Sequence, residues 1–144
     1  MIPVKIKTTS NARIPEYQSR GSSGADVFAC IESPVILKQG GIKLIPTGIY
    51  IELPDGYEAQ MRPRSGLAIK HGITLLNTPG TVDSDYRGEI KIIVANFGES
   101  PFTVENGMRI AQMVICKVDR CEFIQVDDIN ITERNDGGFG HTGI

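Results

Sequence analysis

Phe102-Thr103-Val104-Glu105-Asn106-Gly107-Met108-Arg109-Ile110-Ala111-Gln112-Met113-Val114-Ile115-Cys116-Lys117-Val118 is the stretch that decides the fold class. Two runs rich in apolar and β-branched residues flank Asn106-Gly107, a dipeptide that readily takes the positive φ angles of a tight turn, so the spacing predicts a hairpin of residues 102–105 against 108–118. Upstream, Ile49, Ile51 and Leu53 alternate with Tyr50 and Glu52, and Pro54-Asp55-Gly56 turns the chain into Tyr57-Glu58-Ala59-Gln60-Met61-Arg62. This predicts a second hairpin. Residues 89–97 and 122–126 supply further strands. A single short helix is expected, with Ser65 as its cap, residues 66–71 as its body and Gly72 at its end.

Many short strands in a chain of 144 residues imply one all-β domain, a single-domain jelly-roll in which two sheets share a core. The expected body is 1–133. Residues 134–144 depart from the pattern, because Arg134-Asn135-Asp136-Gly137-Gly138-Phe139-Gly140-His141-Thr142-Gly143 holds four glycines and one aromatic ring and almost nothing to bury. A flexible, glycine-rich C-terminal arm that needs a partner to order it is expected there.

The composition, 40% hydrophobic and 22% charged, is that of a soluble globular protein. A net charge of −2 gives no general field for nucleic acid, so no nucleic-acid partner is expected and an anion would need a local cluster. Met1-Ile2-Pro3-Val4-Lys5-Ile6-Lys7 lacks the features of a signal peptide, and no apolar run approaches the roughly 18 residues of a membrane span. The expectation is a cytoplasmic protein with no membrane segment. Cys30, Cys116 and Cys121 show neither CxxC nor Cys/His zinc spacing, which suggests free thiols buried as small hydrophobes.

Arg62-Pro63-Arg64-Ser65-Gly66 at a helix start, Arg109 opening a strand and Arg134 beside the glycine-rich tail are candidate anion binders. Free backbone amides, a helix N-terminus and forked guanidinium donors suit phosphate oxygens, which makes Arg64 with Ser65 and Gly66 a candidate cradle. A surface ion pair and a plain helix cap account for the same residues. In Gly80-Thr81-Val82-Asp83-Ser84-Asp85-Tyr86-Arg87-Gly88, two carboxylates two residues apart point roughly the same way, so one could orient a water while the other holds an arginine. An Asp-rich turn is the plainer account. His71 is expected to meet the last carbonyls of the helix, and His141 has no second ligand nearby for a metal. Tyr86 and Phe139 are rings in polar surroundings, suited to stacking on a base or sugar.

In order along the chain, these segments resemble the five motifs of the trimeric deoxyuridine triphosphatase (dUTPase) family. Ser23-Gly24-Ala25-Asp26-Val27 is similar to the first, Pro63-Arg64-Ser65-Gly66-Leu67-Ala68 to the second and residues 80–88 to the third. Gly107-Met108-Arg109-Ile110-Ala111-Gln112 resembles the fourth, and residues 134–143 the fifth. The departures are Ala25 and Val27 in the first motif, and Asn135-Asp136 and His141 in the fifth.

The resemblance implies a homotrimer whose three sites each draw on all three chains, hydrolysing dUTP to dUMP and pyrophosphate. Such an activity keeps uracil out of DNA and supplies dUMP for dTMP synthesis. By position Asp83 matches the general base that activates water for in-line attack on the α-phosphorus, and Asp85 a structural partner for an arginine. Arg64, Ser65, Gly66 and Gln112 would hold phosphates, and Arg134 would reach the γ-phosphate. Asn77 and the backbone from Thr81 through Val82 to Lys91 would read uracil, and Tyr86 would pack on deoxyribose. The arm, with Gly138, Phe139, Gly140, His141 and Thr142, would close over the nucleotide of a neighbouring subunit, with Phe139 stacked on the base. Mg2+ would be chelated by the triphosphate with no direct protein ligand, Asp26 meeting it only through water or an arginine. A dCTP deaminase of the same fold and a catalytically silent regulatory module are the rival readings.

Overall fold

Apolar side chains at every second position force the strands to choose an inner face. The computed structural model describes residues 1–138. Its elements are β1 (Lys5–Thr8), β2 (Ala25–Phe28), β3 (Val35–Leu37), β4 (Ile42–Glu52), β5 (Tyr57–Arg62), α1 (Ser65–His71), β6 (Ile73–Leu75), β7 (Gly80–Val82), β8 (Ile90–Asn96), β9 (Phe102–Val104) and β10 (Arg109–Lys117). One sheet has the order β1-β4-β8-β6, a second β2-β10-β5-β7, and β3 pairs with β9. All pairings are antiparallel. Between the sheets lies one core containing Val27, Ile45, Ile49, Met61, Ile92, Val94, Val104, Ile110 and Ala111. The all-β jelly-roll expectation holds.

Neither predicted hairpin forms. β4 pairs with β1 and β8, whereas β5 pairs with β10 and β7, so Pro54-Asp55-Gly56 carries the chain from one sheet to the other. Both strands have an apolar face, Ile49 and Ile51 on β4 and Ala59 and Met61 on β5, and facing each other across the core buries both. Gly56 then accepts a hydrogen bond from the Val118 amide at 2.8 Å, which commits the returning strand to β10. At Asn106-Gly107 the turn is present, with Gly107 at φ 74°, but it docks on another segment. Asn106 Oδ1 accepts from the Ile31 amide at 3.0 Å, and the Gly107 amide donates to the Ala29 carbonyl at 2.8 Å. β9 and β10 therefore part, to β3 and to β2 with β5.

The strand predicted over 122–126 is also absent. Residues 118–132 form no helix or strand, and Phe123 and Ile131 are 93% and 86% exposed. A strand needs a neighbouring edge, and among the described residues this segment pairs with none. The predicted helix is found, ended by Gly72 in the left-handed region with its amide on the Ala68 carbonyl, but Arg64 occupies the cap position and Ser65 is the first helical residue. The His71 ring packs on Phe102, with centroids 5.2 Å apart, instead of meeting the helix carbonyls. The three cysteines are free as expected but not buried, since Cys30 and Cys116 are half-buried and Cys121 is exposed.

β4 is continuous only because it contains an irregularity. It advances from Pro46 to Ile49 while its partner β8 moves from Lys91 to Ile90. The irregularity inserts two residues, so the period of two survives it and Ile45, Thr47, Ile49 and Ile51 all stay buried. Gly48 sits there at φ 66°, and its amide donates to Glu89 Oε1 at 2.9 Å. A Cβ at this position would lie 2.3 Å from Thr9 Oγ1 and 2.7 Å from Ala12 Cβ. Gly48→Ala combines a left-handed backbone with overpacking and should cost about 2–4 kcal/mol of stability, read as a lowered urea midpoint at fixed protein concentration; an unchanged midpoint would refute the account.

Candidate active site

A carboxylate removed from water must be met by positive or hydrogen-bonding groups. Asp26, on β2, is 1% exposed. Its Oδ1 lies 3.2 Å from Arg64 Nε and 3.2 Å from Gln112 Nε2, and its Oδ2 lies 3.2 Å from Arg109 Nη1. Arg64 also donates to the Arg109 carbonyl at 3.3 Å. The register of β2 on β10 places Gln112 directly opposite Asp26. Arg109 and Gln112 are three positions apart, and on a regular strand they would face opposite ways. The register shift between Arg109 and Ala111 reverses the phase, so both reach one carboxylate.

The first bonds of α1 run from the Leu67 and Ala68 amides to the Arg64 carbonyl. The Ser65 and Gly66 amides precede them and have no acceptor inside the helix. Ser65 and Gly66 are exposed, and a Cβ at Gly66 would meet nothing within 4 Å. Of the expected phosphate cradle, Arg64 and Gln112 meet at the buried Asp26 carboxylate, and Ser65 and Gly66 follow Arg64 at the exposed start of α1. Arg64 pairs with a buried carboxylate, not with a surface one. Arg109 received no role from the sequence, because the bulge that turns it toward Asp26 leaves no compositional trace.

Asp83 and Asp85 line a separate hollow with Asp55, Tyr57, Glu58 and Asp119, so the two carboxylates do share a side. Among the described residues no ion pair joins Asp85 to an arginine; Arg87 donates instead to the Ser84 and Tyr86 carbonyls, at 2.7 and 3.0 Å. Tyr86 folds back over its own turn, its amide on the Asp83 carbonyl at 3.2 Å and its hydroxyl on the Glu89 carbonyl at 3.0 Å. Thr81 is exposed and Val82 buried on β7, and Asn77 is exposed just before it. Lys91, on β8, lies 3.5 Å from Glu89. Arg134 closes a turn of its own, donating from Nε to the Gly137 carbonyl at 2.7 Å, with Gly138 next in sequence. Phe139, Gly140, His141 and Thr142 lie outside the described residues.

One chain does not bring the cradle and Asp83 together. Val82 is opposite Ala59 and Gln112 opposite Arg62, so Asp83 and Arg64 lie beyond opposite ends of β5. Six residues from Glu58 to Arg64 span roughly 20 Å at strand rise. The α- and γ-phosphorus atoms of a triphosphate, two bridging oxygens apart, do not cover that distance.

As to a metal, the described residues hold no group of three or more His, Cys, Asp or Glu side chains fit to bind an ion. Both Asp26 oxygens are engaged by cationic or amide donors. A divalent ion carried by a polyphosphate fits this donor set, and an ion ligated directly by Asp26 does not. Asp26→Asn removes the charge but keeps the size, leaving two arginines without their anion. It should lower stability by about 1–3 kcal/mol, the partial exposure of both guanidiniums keeping the loss at that level. Equilibrium unfolding by circular dichroism checks this, and parental stability would deny Asp26 its organising role.

The dUTPase family model matches residues 10–143. The deoxyuridine 5'-triphosphate nucleotidohydrolase of Caldanaerobacter subterraneus subsp. tengcongensis is 58% identical, covering 99% of both chains. The protein of that name from Fusobacterium nucleatum subsp. nucleatum is 51% identical over 99% of this chain and 97% of its own. Among solved structures, the dUTPase of Staphylococcus bacteriophage 80alpha with dUPNHPP superposes with a TM-score of 0.89 at 25% identity, covering 99% of each chain. With the motifs, the jelly-roll and these likenesses in accord, the chain belongs to the dUTPase family.

Proposed function

We propose that this chain hydrolyses dUTP to dUMP and pyrophosphate, in sites that three copies of it build together. The observation that carries the reading is the separation of the Asp26-organised cradle from Asp83 along β5, in a chain whose relatives are named for hydrolysis of deoxyuridine triphosphate. Joining the cradle of one copy to the Asp83 turn of the next supplies both ends of the nucleotide. The exposed apolar side chains of residues 123–131, Phe123, Ile124, Val126, Ile129 and Ile131, favour assembly, since a neighbouring copy would cover them. The arm, residues 134–144, then extends from that segment to close a site, bringing Arg134 to the γ-phosphate, Phe139 onto uracil, and Gly138, Gly140, His141 and Thr142 around the phosphates.

In this site Asp83 takes a proton from water, and the hydroxide oxygen forms a bond to the α-phosphorus in line with the α–β bridging oxygen. The α–β anhydride bond breaks, and pyrophosphate leaves with the bonding pair. Arg64, Gln112 and the amides of Ser65 and Gly66 hold the leaving phosphates, so the negative charge developing there meets fixed donors. Mg2+ carried by the triphosphate would supply further neutralisation of that charge, with no direct ligand from the protein. Asn77, the backbone from Thr81 to Val82, and Lys91 frame the uracil. An amide edge that bonds uracil leaves cytosine with unpaired buried groups, a mismatch worth roughly 10⁴ or more in preference. The Tyr86 ring lies against deoxyribose where a 2′-hydroxyl would collide.

Asp83→Asn should retain dUTP binding and lose about 10² to 10⁴ in kcat, followed by pyrophosphate release; parental kcat would remove Asp83 from the role of base. A panel of dUTP, dTTP, dCTP and UTP should single out dUTP, whereas ammonia released from dCTP would reassign the reaction. Shared sites have their own signature. Arg64→Ala and Asp83→Asn, each nearly inactive alone, should regain roughly a quarter of the parental activity when unfolded and refolded together in equal amounts, because every mixed trimer contains one intact junction. No recovery in a mixture that forms trimers by light scattering would place each site within one chain.

A further inference from the structure

Of the described glycines, those at 40, 48, 56, 72 and 107 have positive φ angles. Gly80 and Gly88 do not, so backbone conformation does not call for glycine at either place. Space does. A Cβ at Gly88 would lie 2.2 Å from the Tyr86 hydroxyl oxygen, 2.5 Å from Cζ and 2.9 Å from Cε2. At Gly80 it would lie 2.9 Å from Asn77 Nδ2. The two side chains assigned to the sugar and the base thus each rest on a glycine.

The nature of the obstructing atoms separates these positions from the glycines that serve the fold. At Gly72 and Gly98 a Cβ would strike backbone, at 2.4 Å from the Gly98 amide nitrogen and 2.1 Å from the His71 carbonyl. The chain itself would have to move there. At Gly88 the obstacle is the end of one side chain, half exposed, which can swing away at little cost to the fold. What a side chain at 88 would displace is the ring alone. That ring is otherwise fixed, because its hydroxyl bonds the Glu89 carbonyl at 3.0 Å and the Glu89 carboxylate accepts from the Gly48 amide in β4 at 2.9 Å.

We propose that Gly88 is a specificity-determining positioning residue: by lacking a side chain it seats the Tyr86 ring at the distance where the ring admits deoxyribose and excludes ribose. The inference rests on the assignment of Tyr86 to the sugar. Gly88 has no side chain with which to meet the sugar and acts on it only through Tyr86, so its effect on sugar choice vanishes when that ring is gone.

The test is a double-mutant cycle of Gly88→Ala, Tyr86→Ala and the two together, reading kcat and KM for dUTP and UTP, with thermal melting of each protein. Gly88→Ala should melt within about 4 °C of the parent and lose about tenfold or more of its preference for dUTP over UTP, with kcat for dUTP little changed because the Asp83 turn stays in place. In the Tyr86→Ala background the same substitution should change nothing further. If Tyr86→Ala loses the preference and Gly88→Ala keeps it, the seat is refuted and the sugar assignment stands. If Tyr86→Ala keeps the preference, the assignment falls and takes the seat with it. A collapsed melting temperature for Gly88→Ala, or additive effects, would make Gly88 a fold residue and overturn the proposal.

Discussion

A single carboxylate withdrawn from solvent sets the terms for the phosphate half of the site. Asp26, enclosed between β2 and β10, has two oxygens and three donors from two elements: Arg64 at the start of α1, and Arg109 and Gln112 on β10. Removing such a charge from water costs several kcal/mol, which attraction repays only when geometry and hydrogen bonds are complete. The helix start and the edge of the sheet are consequently tied to a common point. The arginines keep outward donors, since their side chains are 23% and 46% exposed against 1% for the aspartate. The arrangement holds guanidiniums ready for a second anion without their having to be ordered when it arrives, which lowers the entropic cost of binding.

The same rigid frame holds the cradle and the Asp83 turn apart within one chain. A strand of six residues, β5, separates the cradle from the Asp83 turn, and its pairings to β10 and β7 are both core-backed and fixed. Neither end can move toward the other without breaking the sheet. The chain beyond β10 exposes a succession of large apolar side chains, an arrangement that water disfavours and that a second copy would relieve. Under the proposed assembly, burial of this segment and the meeting of base with phosphate binders would follow from one association.

Much of the candidate site is legible in the sequence because its residues lie in turns and at a helix start, where residue type follows from local chemistry. Ser65-Gly66 after an arginine, Asp83 in an Asp-rich turn and Asn106-Gly107 were recognisable for that reason. What local chemistry does not specify is the partner of a turn. Pro54-Asp55-Gly56 and Asn106-Gly107 both reverse the chain, yet each hands its second strand to a different sheet, since burial of two apolar faces across the core outweighs a ladder between neighbours. Likewise residues 122–126 read as a segment able to pair, but whether an edge takes it depends on the rest of the structure. Arg109 was visible as a charge and invisible as a partner of Asp26, because one bulge decides which face it joins.

Irregularity therefore does the work of selection throughout. The shift in β4 at Gly48 directs an amide at Glu89, and Glu89 in turn fixes the hydroxyl of Tyr86. The shift in β10 directs Arg109 at Asp26. In β10 a regular ladder with period two would place Arg109 and Gln112 on opposite faces. By breaking phase there and bulging at Gly48 in β4, the fold fixes two candidate half-sites, one cationic and one bearing Asp83. The proposed reaction, which needs a water deprotonated beside a polyphosphate, would benefit from that division, because arginines beside a carboxylate weaken it as a base, whereas a base contributed by another copy would meet the phosphate only when the nucleotide bridges the two.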